Sequence, residues 1–363
     1  MDTLSLSNNS KVLLWLVKIA LWKEYPKSPV CIVDWRPMME LAEKHGVLAI
    51  VLDAIDLFPQ YRRPPFDILM NGISLLLFIE TMYDKHRKMI RFLSHFYHHY
   101  GIKMMVLKGY GLSMNYPKPN HRPMGDMDIF HFGQWREADA CVHDRLGVKI
   151  DNSHHHHTVF VYQGVTVENH YDFLNVHSRK SNVEFEKVLK SLAAEDNAIK
   201  DDEMENVFYP SPNFNALFIV RHSAGNFCAS GIILRQVLDW LLFVKRFHDK
   251  VDWDFVYRMY RKFNLVRYVN SLNAIGIQYL GFDAKWFPEY EKDERLVERI
   301  INDMLEPEFK GKENGCLMTG VLVKMRRWWL NRWKIKITAS DSLCSVFLYG
   351  VYSKLLKPAH FRD

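Results

Sequence analysis

The sequence predicts an α+β protein in which a small mixed β-sheet is flanked by helical regions. Three observations lead to that class. Apolar residues recur at three- and four-residue spacings up to residue 98 and again from residue 213. Between those limits the pattern changes to short apolar runs closed by glycine or proline, as strands are. One of these runs, in MMVLKGYGLSMNYPKPNHRPMGDMDIFHF (104–132), encloses two aspartates, Asp126 and Asp128.

The helical N-terminal region spans 1–98. Its main stretch, LMNGISLLLFIETMYDKHRKMIRFLSHFYHHY, is expected to stop near Gly101. An α/β core follows over 99–185. KMMVL reads as a strand, and GYGLSMNY as a turn opening a short helix. PKPNHRP is loop, because three prolines in seven residues stop a helix. MDIFHF reads as a second strand and WREADACVHDRL as a helix. HHTVFVYQGVTVENHYDF reads as two strands joined at Gln163-Gly164. The charged, aromatic-poor segment 186–212 reads as an exposed connection, and 213–363 as a helical C-terminal domain.

A net charge of +6 on 363 residues is too weak to argue for nucleic acid by itself, but it suits anionic ligands. The five cysteines are scattered, odd in number and form no C-x-x-C, which excludes a zinc ribbon or a disulfide framework. A reduced, cytoplasmic setting is the simplest expectation. The first apolar stretch is broken by Lys18, so a signal peptide is not expected. Nor is transmembrane insertion, because no uninterrupted run of about 18 apolar residues occurs.

Side chains two apart on a strand share a face, so Asp126 and Asp128 point together while Met127 and Ile129 point into core. Like charges at that spacing repel, and a hard cation between them relieves the repulsion. Mg²⁺ prefers carboxylate oxygens and leaves positions for phosphates. VTVENHYDF supplies a third carboxylate, Glu168, with Val165 and Val167 on the opposite face. Upstream, Lys108 and Gly109 form a turn before a helix, where backbone N–H groups can meet phosphate oxygens. Lys108 and Arg122 add positive charge. Carboxylates and a phosphate-binding turn together suit two-metal phosphoryl or nucleotidyl transfer.

The order of strand, glycine turn, helix, D-x-D strand and later acidic strand resembles the DNA-polymerase-β-like nucleotidyltransferase superfamily. More narrowly, LKGYGLSMNYPKPNHRPMGDMDIF followed by GVTVENHYDF is similar to the bacterial group described as uncharacterised nucleotidyltransferase. That group shows the same LKG, R-x-x-x-D-x-D and E-x-H order, and GIILRQVLDW resembles its helical part. The motifs cover roughly 100–245. The resemblance implies that Asp126, Asp128 and Glu168 hold Mg²⁺, or Mn²⁺ in its place, and that Lys108, Gly109, Tyr110 and Arg122 meet the nucleotide. One departure is the turn itself. The superfamily has Gly-Ser or Gly-Gly where this chain has Lys108-Gly109-Tyr110, so the serine that meets a phosphate is missing.

Other features have plainer readings. The run His154–His157 raises a zinc question, since imidazoles two apart on a strand can share a metal. With no cysteine partner and no H-x-x-x-H pattern, the preferred reading is strand histidines lining the cleft, His157 or His170 nearest the carboxylates. Arg235 and Asp239, four apart on a helix, read as an intrahelical pair or as a cleft-lining pair. The basic segment 324–336, KMRRWWLNRWKIK, reads as a packing helix that buries Trp328, Trp329 and Trp333 and leaves Lys324, Arg326 and Lys336 in water.

The expected function is Mg²⁺-dependent transfer of a nucleotidyl group from an NTP to an acceptor hydroxyl, with Glu168 or Asp128 as proton acceptor. Small molecule, sugar, protein hydroxyl and RNA all remain open as acceptors. The alternatives are an inactive binding or scaffold protein of the same fold, and an RNA-binding protein that uses 324–336.

Overall fold

The computed structural model describes residues 6–23, 33–289, 291–306 and 329–356. The chain divides into two compact units. One comprises 1–69, 220–245 and 253–343; the other comprises 70–219, 246–252 and 344–363.

The first unit is helical. It opens with α1 (Asn8–Trp22), α2 (Trp35–Lys44) and α3 (Leu48–Asp56). Ser7 caps α1 by accepting a hydrogen bond from the Ser10 amide. The second unit begins within α4 (Phe66–His99) and adds α5 (Lys108–Ser113), α6 (Trp135–Leu146) and α7 (Lys180–Leu192). The chain returns to the first unit within α8 (Pro212–Ala229) and continues through α9 (Leu234–Phe247), α10 (Trp253–Lys262), α11 (Val266–Leu280), α12 (Glu294–Leu305) and α13 (Arg332–Thr338). The last described helix is α14 (Leu343–Leu356).

The sheet lies in the second unit. Its strands are β1 (Met104–Val106), β2 (Met127–Phe130), β3 (His157–Tyr162), β4 (Val165–His170), β5 (Ile199–Lys200) and β6 (Val207–Tyr209), in the order β3-β4-β2-β1-β6-β5. It is mixed. β1 runs antiparallel to β2 and parallel to β6, and β2 runs parallel to β4. The β3–β4 hairpin turns at Gln163 and Gly164, with φ of 48° and 70°, the left-handed pair that a tight two-residue turn demands. The fold class is therefore the expected one: α+β, with helices on both sides of the sheet in sequence.

The segment expected to be a connection is different. Residues 186–212 finish α7 and supply both β5 and β6, and β6 pairs with the central strand β1. Strands of two and three residues show no alternation. Side-chain bonds to the backbone hold them instead. Asn206 donates to the Ile102 and Ser94 carbonyls. Asp201 accepts from the Glu203 and Met204 amides and from the Tyr209 hydroxyl.

One face of the sheet is the core. Met127, Ile129, Phe160, Val165 and Val167 pack with Met89, Ile90, Leu93 and Tyr97 of α4 and Ala138 and Val142 of α6. The second half of α4 is thus seated on the sheet. Its first half exposes Leu77 and Phe78 (58% and 63%). By length and composition α4 is one helix able to cross a membrane, although charges interrupt its apolar run.

The basic tryptophan segment departs from expectation. Trp328, Lys324 and Arg326 lie outside the described residues. Trp329 is 58% exposed, its ring covered by the Arg332 guanidinium at 4.3 Å, so a cation substitutes for burial there. Trp333 is half-buried between Phe227 and the Arg299 guanidinium. Lys336 is exposed as expected, whereas Lys334 is buried and pairs with Asp303 at 2.6 Å.

Candidate active site

Strand register builds the site on the sheet face opposite the core. β2 and β4 lie side by side with Asp128 beside Glu168 and Phe130 beside His170. β3 and β4 place His157 opposite His170 and Val159 opposite Glu168. Because alternate residues share a face, Asp128, Glu168, His157 and His170 all project to one side. The core residues Met127, Ile129 and Val167 take the other side.

Asp128 is buried and receives two partners. The Lys108 ammonium lies 2.7 Å from Oδ1, and His170 Nε2 lies 2.9 Å from the same oxygen. Burial alone would raise the Asp128 pKa. Lys108 and then His170 outweigh it and hold the carboxyl well below the usual carboxylate range. For His170, burial works against the proton, but hydrogen bonds to Asp128 and Glu168 keep it, and its pKa is raised. The His170 Nδ1 faces the Asp172 carbonyl at 3.1 Å. Glu168 Oε1 lies 3.6 Å from His157 Nε2, and its Oε2 lies 3.4 Å from His170 Nε2.

Asp126 sits just before β2 and is exposed. Its pKa is raised, first by partial burial and then by the charges of Glu168 and Asp128. The three carboxylates therefore feel one another. Among the described residues, however, the tight ligand set here is Asp128, Glu168 and His170, whose donor atoms lie within 4.8 Å of one another. His170 joins the two strand carboxylates in this set, and Asp126 lies at its edge.

The first turn of α5 approaches these carboxylates. A Cβ on Gly109 would meet the Asp126 carbonyl at 3.6 Å. Lys108 itself has a φ of 22°, at the edge of the left-handed region. Its ammonium also lies 5.6 Å from the Phe218 ring centroid. Tyr110 is placed elsewhere. Its ring is buried in the core, stacked on Tyr83 at 5.3 Å, and burial pushes its hydroxyl pKa up, so the side chain is turned away from the carboxylates. Arg122 is buried too, and donates to the neighbouring Pro123 carbonyl. Arg235 and Asp239 belong to the other unit, where Arg235 packs on Gly46 and its amide donates to the His45 carbonyl.

Some supporting residues gave no sequence signal. His86 of α4 contacts the Gly125 carbonyl at 2.8 Å and so ties α4 to the loop before Asp126. Behind the sheet, Asp139 of α6 accepts from Thr158 and Asn169, both at 2.8 Å, which fixes α6 against β3 and β4. Isolated polar residues in helices resemble surface residues in sequence. The E-x-H spacing of Glu168 and His170 was a usable signal, because two residues on a strand share a face.

No match was found among curated proteins or solved structures. The family model described as uncharacterised nucleotidyltransferase matches residues 32–274, more than half of the chain. The match takes in the sheet, the carboxylates, and helices of the first unit on either side of them in sequence. The chain belongs to this uncharacterised nucleotidyltransferase family.

Proposed function

We propose that the protein transfers a nucleotidyl group from an NTP to an acceptor hydroxyl, at the face formed by Asp126, Asp128 and Glu168. The observation that carries this reading is the pairing of Asp128 with Glu168 on adjacent parallel strands, with Asp126 electrostatically coupled to both. The donor set fits a hard cation, since it offers oxygens from three carboxylates, and the pKa of the most exposed one is raised by partial burial and then by the charges of the other two. Asp126, Asp128 and Glu168 would hold Mg²⁺ or Mn²⁺. When bound there, the ion supplies charge neutralisation for the triphosphate and activation of the acceptor hydroxyl.

The chain's own groups divide the remaining work. Lys108 keeps Asp128 ionised and in place. A carboxylate held that far down is a poor proton acceptor, so Asp128 serves as a ligand rather than as the base. The Lys108-Gly109 turn, against the Asp126 backbone, would carry the phosphates.

The rival reading, a fold of this family that binds without catalysis, is favoured by one contact. Lys108 already neutralises Asp128 from within the chain. Calorimetry with Mg²⁺ and each NTP, followed by labelled-NTP transfer into a cell extract, separates the two. We expect binding that is lost in Asp126→Asn and in Asp128→Asn, together with label transferred to an acceptor. Binding without transfer favours the rival. Undiminished Mg²⁺–NTP binding by Asp126→Asn rejects the proposed site.

A further inference from the structure

Beside the carboxylates, on the hairpin side, three imidazoles converge. His156, His157 and His170 each offer a ring nitrogen within 4.8 Å of those of the other two. We propose that His156, His157 and His170, with a Glu168 oxygen as fourth donor, form a binding site for a transition-metal dication of the zinc type.

The first support is the state of the rings. His157 is 6% exposed, yet neither of its nitrogens has a hydrogen-bond partner, and Nδ1 of His156 is buried in the same condition. Buried polar nitrogens are nearly always satisfied, and an imidazole lone pair left open in a cluster of imidazoles is what a metal takes up. The ring centroids of His156 and His157 are 4.4 Å apart, and those of His157 and His170 are 5.1 Å apart.

The second support is metric. Donors about 2.0–2.1 Å from a tetrahedral zinc lie roughly 3.4 Å from one another. Glu168 Oε1 is 3.6 Å from His157 Nε2, and Glu168 Oε2 is 3.4 Å from His170 Nε2.

The third support is the surrounding backbone. The 3.1 Å contact to the Asp172 carbonyl turns His170 Nε2 towards the carboxylate face, where it now holds a proton against Asp128 Oδ1 at 2.9 Å, and a bound dication would displace that proton. The amides of Tyr171 and Asp172 both donate to the His156 carbonyl, at 3.1 and 3.0 Å. One short segment therefore orients His170 and anchors His156, while the β3–β4 register fixes His157 opposite His170. Imidazole nitrogens select zinc, cobalt and nickel over magnesium, which prefers oxygen. The site shares Glu168 and His170 with the carboxylate set but draws most of its donors from imidazoles, and its occupation does not depend on nucleotidyl transfer.

The test is titration of the chelator-treated full chain with Co²⁺, read by its visible ligand-field absorption, and then displacement by Zn²⁺. We expect one equivalent of tetrahedral Co²⁺, displaced by Zn²⁺ and retained against roughly a thousandfold excess of Mg²⁺. His157→Gln and His156→Ala should each weaken Co²⁺ binding by at least about tenfold. Asp126→Asn should leave Co²⁺ binding intact, even though it abolishes Mg²⁺–NTP binding if the carboxylate reading holds. Failure of one reading is thus visible apart from the other. Should His157→Gln fail to fold, His156→Ala decides, because its side chain is less buried. Absence of the Co²⁺ bands, their survival in His156→Ala, or their loss only on replacing His154, His155 or His177 would overturn the proposal.

Discussion

At the scale of single residues, the contact between Lys108 and Asp128 makes the sharpest demand. A buried carboxylate with an ammonium at 2.7 Å is tolerable only while both are present. Lys108→Met leaves Asp128 with His170 alone. In the absence of divalent metal we expect a loss of about 3 kcal/mol in urea unfolding, in the range for breaking a buried pair. Millimolar Mg²⁺ should restore much of that loss, and calorimetry should show Mg²⁺ bound more tightly than by wild type, since the ammonium no longer competes for Asp128. A variant as stable as wild type and indifferent to Mg²⁺ would remove Lys108 from the account. The two aspartates were legible in sequence because carboxylates are rare within an apolar run. The loss of Asp126 from the tight ligand set was not, because it depends on where β2 begins. Asp126 lies one residue before the strand, so strand alternation does not govern it.

At the scale of elements, glycine marks a close helix contact in the first unit. An added Cβ on Gly276 of α11 would lie 2.4 Å from Leu241 Cδ2 and 2.9 Å from Cδ1, on α9. Leu241 is fully buried and has no room to turn aside. Overpacking of this kind costs about 1–3 kcal/mol, and alanine's better helix propensity returns up to about 1 kcal/mol. Gly276→Ala should therefore destabilise by about 1 kcal/mol in urea unfolding, although alanine is ordinarily the better helix former. A stabilised variant would show that the two helices are farther apart. The long elements were readable from their period: WREADACVHDRL is α6 residue for residue, and the Gln163-Gly164 hairpin turns where its sequence says. β5 and β6 were unreadable because their pairing is set by β1, some hundred residues away, and by Asn206 and Asp201, which look like turn residues in sequence.

At the scale of the whole molecule, each unit carries a buried neutral histidine away from the carboxylates. Burial, with a smaller contribution from Lys44, lowers His45 to about 4, and burial lowers His131 to about 4. His45 Nδ1 accepts from the Leu234 amide, and His131 Nδ1 contacts the Lys103 carbonyl at 2.8 Å. Unfolded, each imidazole takes its proton near pH 6.5. Between about pH 6.5 and 4 the unfolded chain then holds more protons, so each histidine's contribution falls as pH falls through that window and levels off below it. The expected loss is about 3 kcal/mol for each. Glu186, raised by burial to about 7, acts with the opposite sign over much of the same range, so the comparison belongs to variants. His45→Gln and His131→Gln should each flatten the acid limb of stability against pH, and an unchanged limb would show that the rings are charged in the fold. The order of the chain has a further consequence, for synthesis. During translation β1 emerges with β2 soon after it, but its other neighbour, β6, follows only at residue 207. Until then the nascent sheet presents Met104, Met105 and Val106 as an open apolar edge. In the same way Trp22 of α1 bonds the Leu280 carbonyl 258 positions later, so this contact of the first helix waits until about three quarters of the chain is made, a natural post for a chaperone.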